Sequence, residues 1–263
     1  MHETLLKTIG IDVMFGGVRA LGSVSIEVAQ GSITSLIGPN GAGKTTLFNV
    51  ISGFYRPVAG QVIFNGADIT TMPSHQRAAA GVARTFQNIS LFRGMTVLDN
   101  IKLGAHTRLR SGVLSAGLYF GSTQSEEIAL REEIERDVIE FLEIDHIRRV
   151  EVSMLPYGLQ KRVELARALA MKPELLLLDE PVAGMNREET EDIARFILDI
   201  KEQWGTTVLM VDHDMGVVMD ISDHISVLNF GRLIASGTPA LVQSEPAVVE
   251  AYLGSGGTNQ IVR

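Results

Sequence analysis

Residues 33–46 of the chain read ITSLIGPNGAGKTT, an apolar run followed at once by a glycine-rich loop. The loop fits the pattern G-x-x-x-x-G-K-[ST] from Gly38 to Thr45. Its flanks suit this pattern, because the run Ile33–Ile37 predicts a strand and residues 44–52 predict a helix. Glycines let the backbone curl so that several N–H groups point at one phosphate, and the helix N-terminus adds partial positive charge. The loop therefore predicts a site for a nucleoside triphosphate.

Two side chains of the loop carry separate tasks. Lys44 supplies a point charge for the β- and γ-phosphates, and the Thr45 hydroxyl is placed to hold Mg²⁺, which prefers oxygen ligands. A glycine-rich turn without a ligand is the structural alternative, and the complete pattern between strand and helix argues against it. The residues predicted to contact nucleotide are Gly38, Pro39, Asn40, Gly41, Ala42, Gly43, Lys44, Thr45 and Thr46.

Two carboxylates follow a second apolar run. Asp179 and Glu180 come directly after Leu175–Leu178, which is typical of a strand buried on both faces of a parallel sheet. Ligands of open α/β sheets bind beyond the carboxyl ends of the strands. We therefore expect Asp179 to meet Mg²⁺ through water and Glu180 to polarise a water aimed at the γ-phosphate. A helix cap or a surface acid pair is the alternative, and it is weaker beside a phosphate loop.

The rest of the chain predicts an α/β core interrupted by a helical insert. Apolar, glycine-punctuated segments predict strands in the first and last thirds, and a charged amphipathic helix marks the middle. The predicted strands are 5–15, 24–29, 33–37, 60–64, 175–178, 206–211 and 225–229, and the predicted helices are 44–52, 126–143 and 188–201.

Composition excludes several classes of protein. With 23 Lys and Arg against 31 Asp and Glu, the net charge of −8 argues against a nucleic-acid partner. The chain has no cysteine, so disulfides, zinc–thiolate sites and iron–sulfur clusters are excluded. The longest run without a charged side chain, 28–43, holds a proline and several glycines and predicts no membrane span. Without a secretory signal at its start, the chain is expected to be cytoplasmic unless a partner holds it at a membrane.

Further segments resemble the motifs of the ATP-binding cassette (ABC) family. Residues 84–87 (RTFQ) resemble its Q-loop, residues 155–162 (LPYGLQKR) its signature, residues 183–186 (AGMN) its D-loop, and His213 its switch histidine. They follow the phosphate loop in the order that the family keeps, and the resemblance covers essentially the whole chain.

Within the family, the match is closest to one branch. Residues 84–87, 180–186 (EPVAGMN), 213–215 (HDM) and 251–254 (AYLG) are similar to the ATPase subunits of branched-chain amino acid importers, the Liv type. Importers of urea and aromatic acids belong to the same branch. An exporter ATPase, such as one for lipopolysaccharide, would show the same chemistry. A cassette acting on DNA or ribosomes is disfavoured by the negative charge and the single phosphate loop, and a phosphotransferase would leave the signature and His213 unexplained.

The resemblance implies a fold and its limits. It implies a P-loop NTPase, the ABC nucleotide-binding domain, with a RecA-like core, an N-terminal antiparallel β subdomain and a helical insert. One ABC ATPase domain then spans 1–263. Its nucleotide-binding core and β subdomain take 1–88 and 163–263, and the helical subdomain with the signature takes 89–162.

The resemblance also implies roles for single residues. Two cassettes would face head to tail, and each ATP would lie between the phosphate loop of one and the signature of the other, where Tyr157 and Gly158 lie. Gln87 would contact Mg²⁺ and the attacking water, and His213 would contact the γ-phosphate, acting with Glu180 as the catalytic pair. Phe15 occupies the position of the aromatic under the adenine ring, although it suits a core position equally well.

One departure from the family pattern bears on partners. The signature usually begins Leu-Ser, and here Pro156 replaces the serine and offers neither hydroxyl nor N–H. We therefore expect the weaker half of an asymmetric pair, which favours a heterodimer with a second ABC ATPase over a homodimer. The other expected partners are transmembrane permease subunits and, indirectly, a solute-binding protein. Residues 89–95 would receive a short permease helix or pack within the insert, and the apolar segment 111–120 would face the permease or fold back.

Overall fold

The computed structural model describes residues 3–108 and 122–253. The chain forms two compact units, of which the first combines residues 1–84 with 174–263 and the second spans 85–173. The insert limits expected from the sequence, 89 and 162, both lie within the second unit.

The strands and helices alternate as an α/β chain requires. The strands are β1 (Thr4–Phe15), β2 (Val18–Val24), β3 (Glu27–Ala29), β4 (Ile33–Ile37), β5 (Ala59–Phe64), β6 (Ala67–Asp68), β7 (Val82–Arg84), β8 (Leu175–Asp179), β9 (Thr207–Val211), β10 (His224–Asn229) and β11 (Arg232–Gly237). The helices are α1 (Lys44–Ile51), α2 (Ser74–Ala79), α3 (Val97–Gly104), α4 (Ser122–Ile134), α5 (Tyr157–Leu169), α6 (Arg187–Trp204), α7 (Met215–Ile221), α8 (Pro239–Ser244) and α9 (Pro246–Leu253).

The first unit begins with an antiparallel sheet in the order β2-β1-β5-β6, with β3 also paired to β1. The single strand expected over 24–29 is wrong, because β2 and β3 are separate. Between them the N–H of Ile26 donates to Thr8 Oγ1 at 3.0 Å, and the N–H of Gly10 donates to Ser25 Oγ at 2.8 Å. Side-chain hydroxyls thus accept two backbone N–H groups where the strand is interrupted.

The second sheet of this unit positions the site. Its order is β11-β10-β4-β9-β8-β7, in which the strands from β10 to β7 are parallel and β11 is antiparallel to β10. Every residue of β4, β8 and β9 is buried, which confirms the doubly covered parallel core predicted from the apolar runs. Because parallel strands share a direction, their carboxyl ends meet at one edge of the sheet.

Helix α1 is completed by a buried arginine. The Arg77 side chain is 1 % exposed, and its Nη1 donates to the carbonyls of Val50 and Ile51 at 2.7 Å each. Its Nε donates to Met72 O at 2.8 Å and its Nη2 to Thr70 O at 3.0 Å. Burial lowers the pKa of Arg77 to about 10, and the charge of Asp68 opposes that shift. The last carbonyls of a helix need outside partners, and Arg77 supplies them here.

The second unit is helical. Helices α3 and α5 approach so closely that a Cβ at Gly104 would lie 2.0 Å from Arg167 O. The helix expected over 126–143 is shorter, because α4 ends at Ile134 and a π-helical turn follows at Glu135–Ile139. The extra residue of that turn brings Val138 and Ile139 side by side into the interior, where they are 2 % and 0 % exposed.

The segment 111–120 lies outside the described residues, as does Gly254 of the AYLG ending. In the described part of the chain, each helix falls short of the length or the apolarity that crossing a membrane requires.

Candidate nucleotide-binding site

The carboxyl edge of the parallel sheet collects the predicted polar residues of the first unit. The loop that starts at Gly38 follows β4, Glu180 follows β8, and His213 is the second residue after β9. Since β9 lies between β4 and β8, these three loops are neighbours at the same edge. This is the crevice in which open α/β sheets bind ligands.

The backbone of the phosphate loop requires glycine at two positions. Gly38 has φ 147°, and a Cβ there would lie 2.0 Å from the carbonyl oxygen of Leu228. Gly43 has φ 103°, and a Cβ there would lie 2.7 Å from Leu21 Cδ2. Any other residue would therefore clash with neighbouring strands as well as strain the backbone. The loop is shaped by its surroundings as much as by its own sequence.

Lys44 lies inside this loop. Its side chain is buried, and Nζ donates to Gly38 O at 2.6 Å and to Pro39 O at 3.1 Å. Burial lowers the pKa of Lys44, and the nearby charges of Glu180 and Asp179 oppose that shift. In the remainder of the loop, Asn40, Gly41 and Thr45 are exposed, Gly38 and Ala42 are buried, and Pro39, Gly43 and Thr46 are intermediate.

Glu180 and His213 form a pair. His213 Nε2 and Glu180 Oε1 are 2.8 Å apart, and the Glu180 N–H donates to Val211 O at 2.8 Å. Glu180 has φ 51°, a conformation that costs energy in a residue with a side chain and that persists only where the surroundings impose it. The carboxylate is thus held in one place beside a half-exposed imidazole.

Asp179, at the end of β8, is buried and paired. Its Oδ2 lies 2.8 Å from Arg84 Nη2, and the two side chains are 4 % and 9 % exposed. The alternative that residues 179 and 180 are a surface acid pair is therefore excluded, because Asp179 is buried.

Phe15 lies at the surface of the first unit. Its side chain is 47 % exposed, and its ring meets that of Tyr55 edge to face, with centroids 5.2 Å apart and planes at 73°. The core position that the sequence left open for Phe15 is thus excluded. An exposed ring braced by a second ring has a free face for a flat ligand.

The second unit holds Gln87 and the signature. Gln87 is exposed, and its carbonyl accepts from Lys161 Nζ at 3.1 Å. Glu164 Oε1 accepts the N–H groups of Phe86 and Ser90 at 3.4 Å each, so α5 holds the segment on both sides of Gln87. Burial raises the pKa of Glu164, and the charge of Lys161 opposes that shift.

The signature opens helix α5. Pro156 is the N-cap residue, without a side-chain cap, and Gln160 Nε2 instead donates to Leu155 O at 2.8 Å. Tyr157 is 45 % exposed and Gly158 is buried. A cavity of about 400 Å³ lies beside this start of the helix, lined by Asn88, Ile89, Leu91, Arg93, Val152, Ser153, Tyr157 and Gln160.

Comparison with known proteins decides the family. Residues 21–183 match the family model described as ABC transporter. The high-affinity branched-chain amino acid transport ATP-binding protein LivG of Escherichia coli K12 is 42 % identical over 97 % of this chain and 99 % of its own length. The chain belongs to the ABC transporter family. It is an ATPase subunit of that family, a nucleotide-binding cassette.

Three further comparisons support the assignment of the cassette. BraF of Pseudomonas aeruginosa, with the same description as LivG, is 40 % identical over 97 % of this chain and 99 % of its own length. The crystal structure of the ADP conformation of an ATP-binding cassette from an ABC transporter superposes with a TM-score of 0.83 at 36 % identity, over 96 % of this chain and 99 % of that one. Residues 232–258 match a model described as branched-chain amino acid ATP-binding cassette transporter.

Three residues of the cassette's site received no role from the sequence. Arg84 binds Asp179, as described above. Asp212 is buried and accepts the N–H groups of Val182, His213 and Asp214; burial raises its pKa, and these hydrogen bonds oppose that shift. The third is Tyr252 of α9. Tyr252 lies in the AYLG motif and Arg84 in the RTFQ motif, so both motifs could have drawn attention to these residues.

Tyr252 reaches the phosphate loop. The backbone N–H of Gly38 donates to its phenol oxygen, which opposes the effect of burial, and burial raises the pKa of Tyr252 to about 12. The C-terminal helix therefore supports the first residue of the loop.

Proposed function

We propose that this cassette hydrolyses ATP to energise the import of branched-chain amino acids through a membrane permease. The observation that carries the choice of cargo is the match to LivG over nearly the whole of both chains, with the separate match of residues 232–258 to the branched-chain model. The cargo itself would be bound by the permease and by a solute-binding protein, not by this chain.

The loop at the carboxyl edge would bind the triphosphate. Backbone N–H groups of the loop after Pro39 would surround the phosphates, with the charge of Lys44 at the β- and γ-phosphates. Phe15 would stack on the adenine ring with its exposed face. Because Lys44 donates to two carbonyls of its own loop, its ammonium already lies within the curve of the loop.

The residues at this edge fit a magnesium ion. Thr45 offers a hydroxyl and Asp179 a carboxylate at this edge. Magnesium suits such oxygen ligands, since it is bound by one or two protein oxygens together with substrate phosphates and water. Thr45, Gln87 and Asp179 would hold it. When bound, it neutralises charge on the β- and γ-phosphates.

Glu180 and His213 would carry the chemistry. Glu180 accepts a proton from the water that attacks the γ-phosphorus; the new P–O bond forms as the bond to the β-phosphate oxygen breaks, giving ADP and phosphate. His213, 2.8 Å from Glu180, holds that carboxylate in place and contacts the γ-phosphate. The strained φ of Glu180 supports this role, because such strain clusters at functional sites.

A second cassette would complete each site. Tyr157 and Gly158 of the signature, at the N-terminus of α5, would contact the ATP held by the partner cassette. Pro156 at the N-cap removes a hydroxyl from this half-site, which favours a different cassette as partner. Residues 89–162 would form the helical subdomain, and 1–88 with 163–263 the core. The cavity beside Ile89 and Leu91 would receive a short permease helix. The protein would then lie at the cytoplasmic face of the membrane.

Uptake in cells that carry single substitutions tests the proposal. Glu180→Gln should abolish uptake of labelled leucine and leave uptake of urea and of an aromatic acid intact. Glu202→Gln, an exposed glutamate on α6, is the matched control and should change none of the three. Loss of another cargo with intact leucine uptake would refute the assigned cargo, and intact uptake of all three would refute the importer role in these cells.

A further inference from the structure

Arg84 of the RTFQ segment contacts the proposed metal carboxylate, Asp179, and the function above gives it no task. It ends β7, and its Nη2 donates to Asp179 Oδ2 at 2.8 Å, with both side chains almost fully buried. A buried carboxylate is stable only when it is paired and hydrogen-bonded. Arg84 provides that pairing for Asp179.

The guanidinium is itself held from the other side. Nη1 donates to Asn49 Oδ1 at 2.7 Å and to Ser52 Oγ at 2.8 Å, at the end of the phosphate-loop helix. The rings of Phe48 and Phe54 each lie with their centroids 5.7 Å from the guanidinium carbon. Arg84 therefore has little freedom to turn, and its hydrogen bond restrains the Asp179 carboxylate as well.

The chemistry of the side chain suits a bridge. Arginine presents its N–H groups in a planar fork, so one guanidinium can bind two partners that lie in different directions. Here the two partners are the last turn of α1 and the last residue of β8. The same side chain ties the helix that follows the phosphate loop to the carboxylate across the crevice.

We propose that Arg84 is a positioning residue for Asp179, which it holds in the orientation that binds magnesium beside the phosphate loop. This inference rests on the role proposed above for Asp179. Groups that orient a metal ligand typically change metal affinity by about 10- to 100-fold when they are removed. We expect an effect of that size on magnesium and little effect on the metal-free nucleotide.

Binding of trinitrophenyl-ATP to the full chain, in EDTA and in excess Mg²⁺, measures the two effects apart. In Arg84→Gln the Kd in EDTA should stay within about twofold of wild type, and the gain in affinity on adding Mg²⁺ should fall about tenfold or more. The assembled transporter should need a correspondingly higher Mg²⁺ concentration for half-maximal ATPase. Arg84→Lys should restore only part of this, because an ammonium cannot serve both partners in the fork geometry. Arg195→Gln, which removes a half-exposed arginine from α6, is the control and should match wild type.

Two outcomes overturn the inference: a magnesium response like that of wild type in Arg84→Gln, or an equal loss of affinity with and without Mg²⁺. If thermal unfolding shows that Arg84→Gln is not folded, Asn49→Ala decides, since it keeps the ion pair but removes one of the two hydrogen bonds that Nη1 donates on the other side. It should show the same magnesium-specific loss at smaller size, and an unchanged response there refutes the proposal. Lys44→Ala separates this from the nucleotide site itself: if it binds trinitrophenyl-ATP like wild type, the proposed phosphate loop is wrong whatever Arg84 does.

Discussion

The phosphate loop at 38–45 and the signature segment at 155–162 each contain the N-terminus of a helix. The first is enclosed: Lys44 is buried, Gly38 and Gly43 press against neighbouring strands, and Tyr252 binds the first residue of the loop. The second begins in the open, with exposed Pro156 and Tyr157 and no side-chain cap. The comparison teaches that the same device is enclosed in one unit and open in the other, as the proposed contact with a partner cassette would require.

The largest effect should come from breaking the enclosed half. Glu180→Gln keeps the size of the side chain and removes its ability to accept a proton, so ATP hydrolysis should fall by about 10²- to 10⁴-fold. Phosphate release by the assembled transporter measures the rate, and filter binding of labelled ATP should show that affinity is kept. A variant that still hydrolyses at more than a tenth of the wild-type rate would remove Glu180 from the proton transfer.

The open half should gain from a cap. Pro156 has φ −55° and ψ 155°, an N-cap conformation that serine adopts readily. Pro156→Ser adds a hydroxyl at this end of α5 and a donor for the partner's γ-phosphate, an interaction of about 1–3 kcal/mol. The ATPase rate of the assembled transporter should rise about tenfold. An unchanged rate would mean that this half-site is already as effective as its partner.

Removing one atom, the phenol oxygen of Tyr252, should remove the support that α9 gives to the phosphate loop. Tyr252→Phe leaves the buried N–H of Gly38 without its acceptor, which should lower the free energy of unfolding by about 1–3 kcal/mol and weaken ATP binding. Urea unfolding and ATP titration measure the two effects. Glu250→Gln, an exposed change on the same helix, is the control. Equal stability of Tyr252→Phe and wild type would show that the loop is held without α9.

The smallest effect concerns Glu164 in the signature helix. Because burial raises its pKa above the ordinary 4.5, the folded state binds this proton more tightly than the unfolded state does. The free energy of unfolding should therefore decline as the pH rises from about 4.5 through the raised pKa. Glu164→Gln removes this decline, so its stability relative to wild type should increase from pH 4.5 to pH 8 in urea titrations. A constant difference would contradict the raised pKa.

Much of the fold follows from local sequence. The run Ile33–Ile37 forms β4 with the predicted ends, and α1 and β8 differ from prediction by one residue each, because strongly apolar runs and a helix start leave few alternatives. The secondary-structure predictions that are wrong concern segments whose structure depends on residues far away along the chain. The break within 24–29 depends on the Thr8 hydroxyl of β1, which accepts the N–H of Ile26. The π-helical turn after Ile134 depends on how its residues pack in the interior.

The candidate site divides in the same way. The motifs place the phosphate loop, the two carboxylates and His213, whose order along the chain and position after strands are visible in the sequence. Arg84 and Tyr252 lie within motifs, but the motifs predict no role for them, because their partners Asp179 and Gly38 lie far away along the chain. Arg84 and Asp179 are 95 residues apart, a separation at which no local pattern connects a base with an acid.

The buried Arg77 has a consequence for the order in which the molecule is assembled. Helix α1 has eight residues, too few to persist by itself in water, and its final carbonyls bind a side chain 26 and 27 residues further along. A growing chain that has just completed the motif therefore does not yet possess a formed phosphate loop. A fragment that stops before residue 77 contains every residue of the loop but lacks the arginine that finishes its helix, so nucleotide binding belongs to the folded unit and not to the motif.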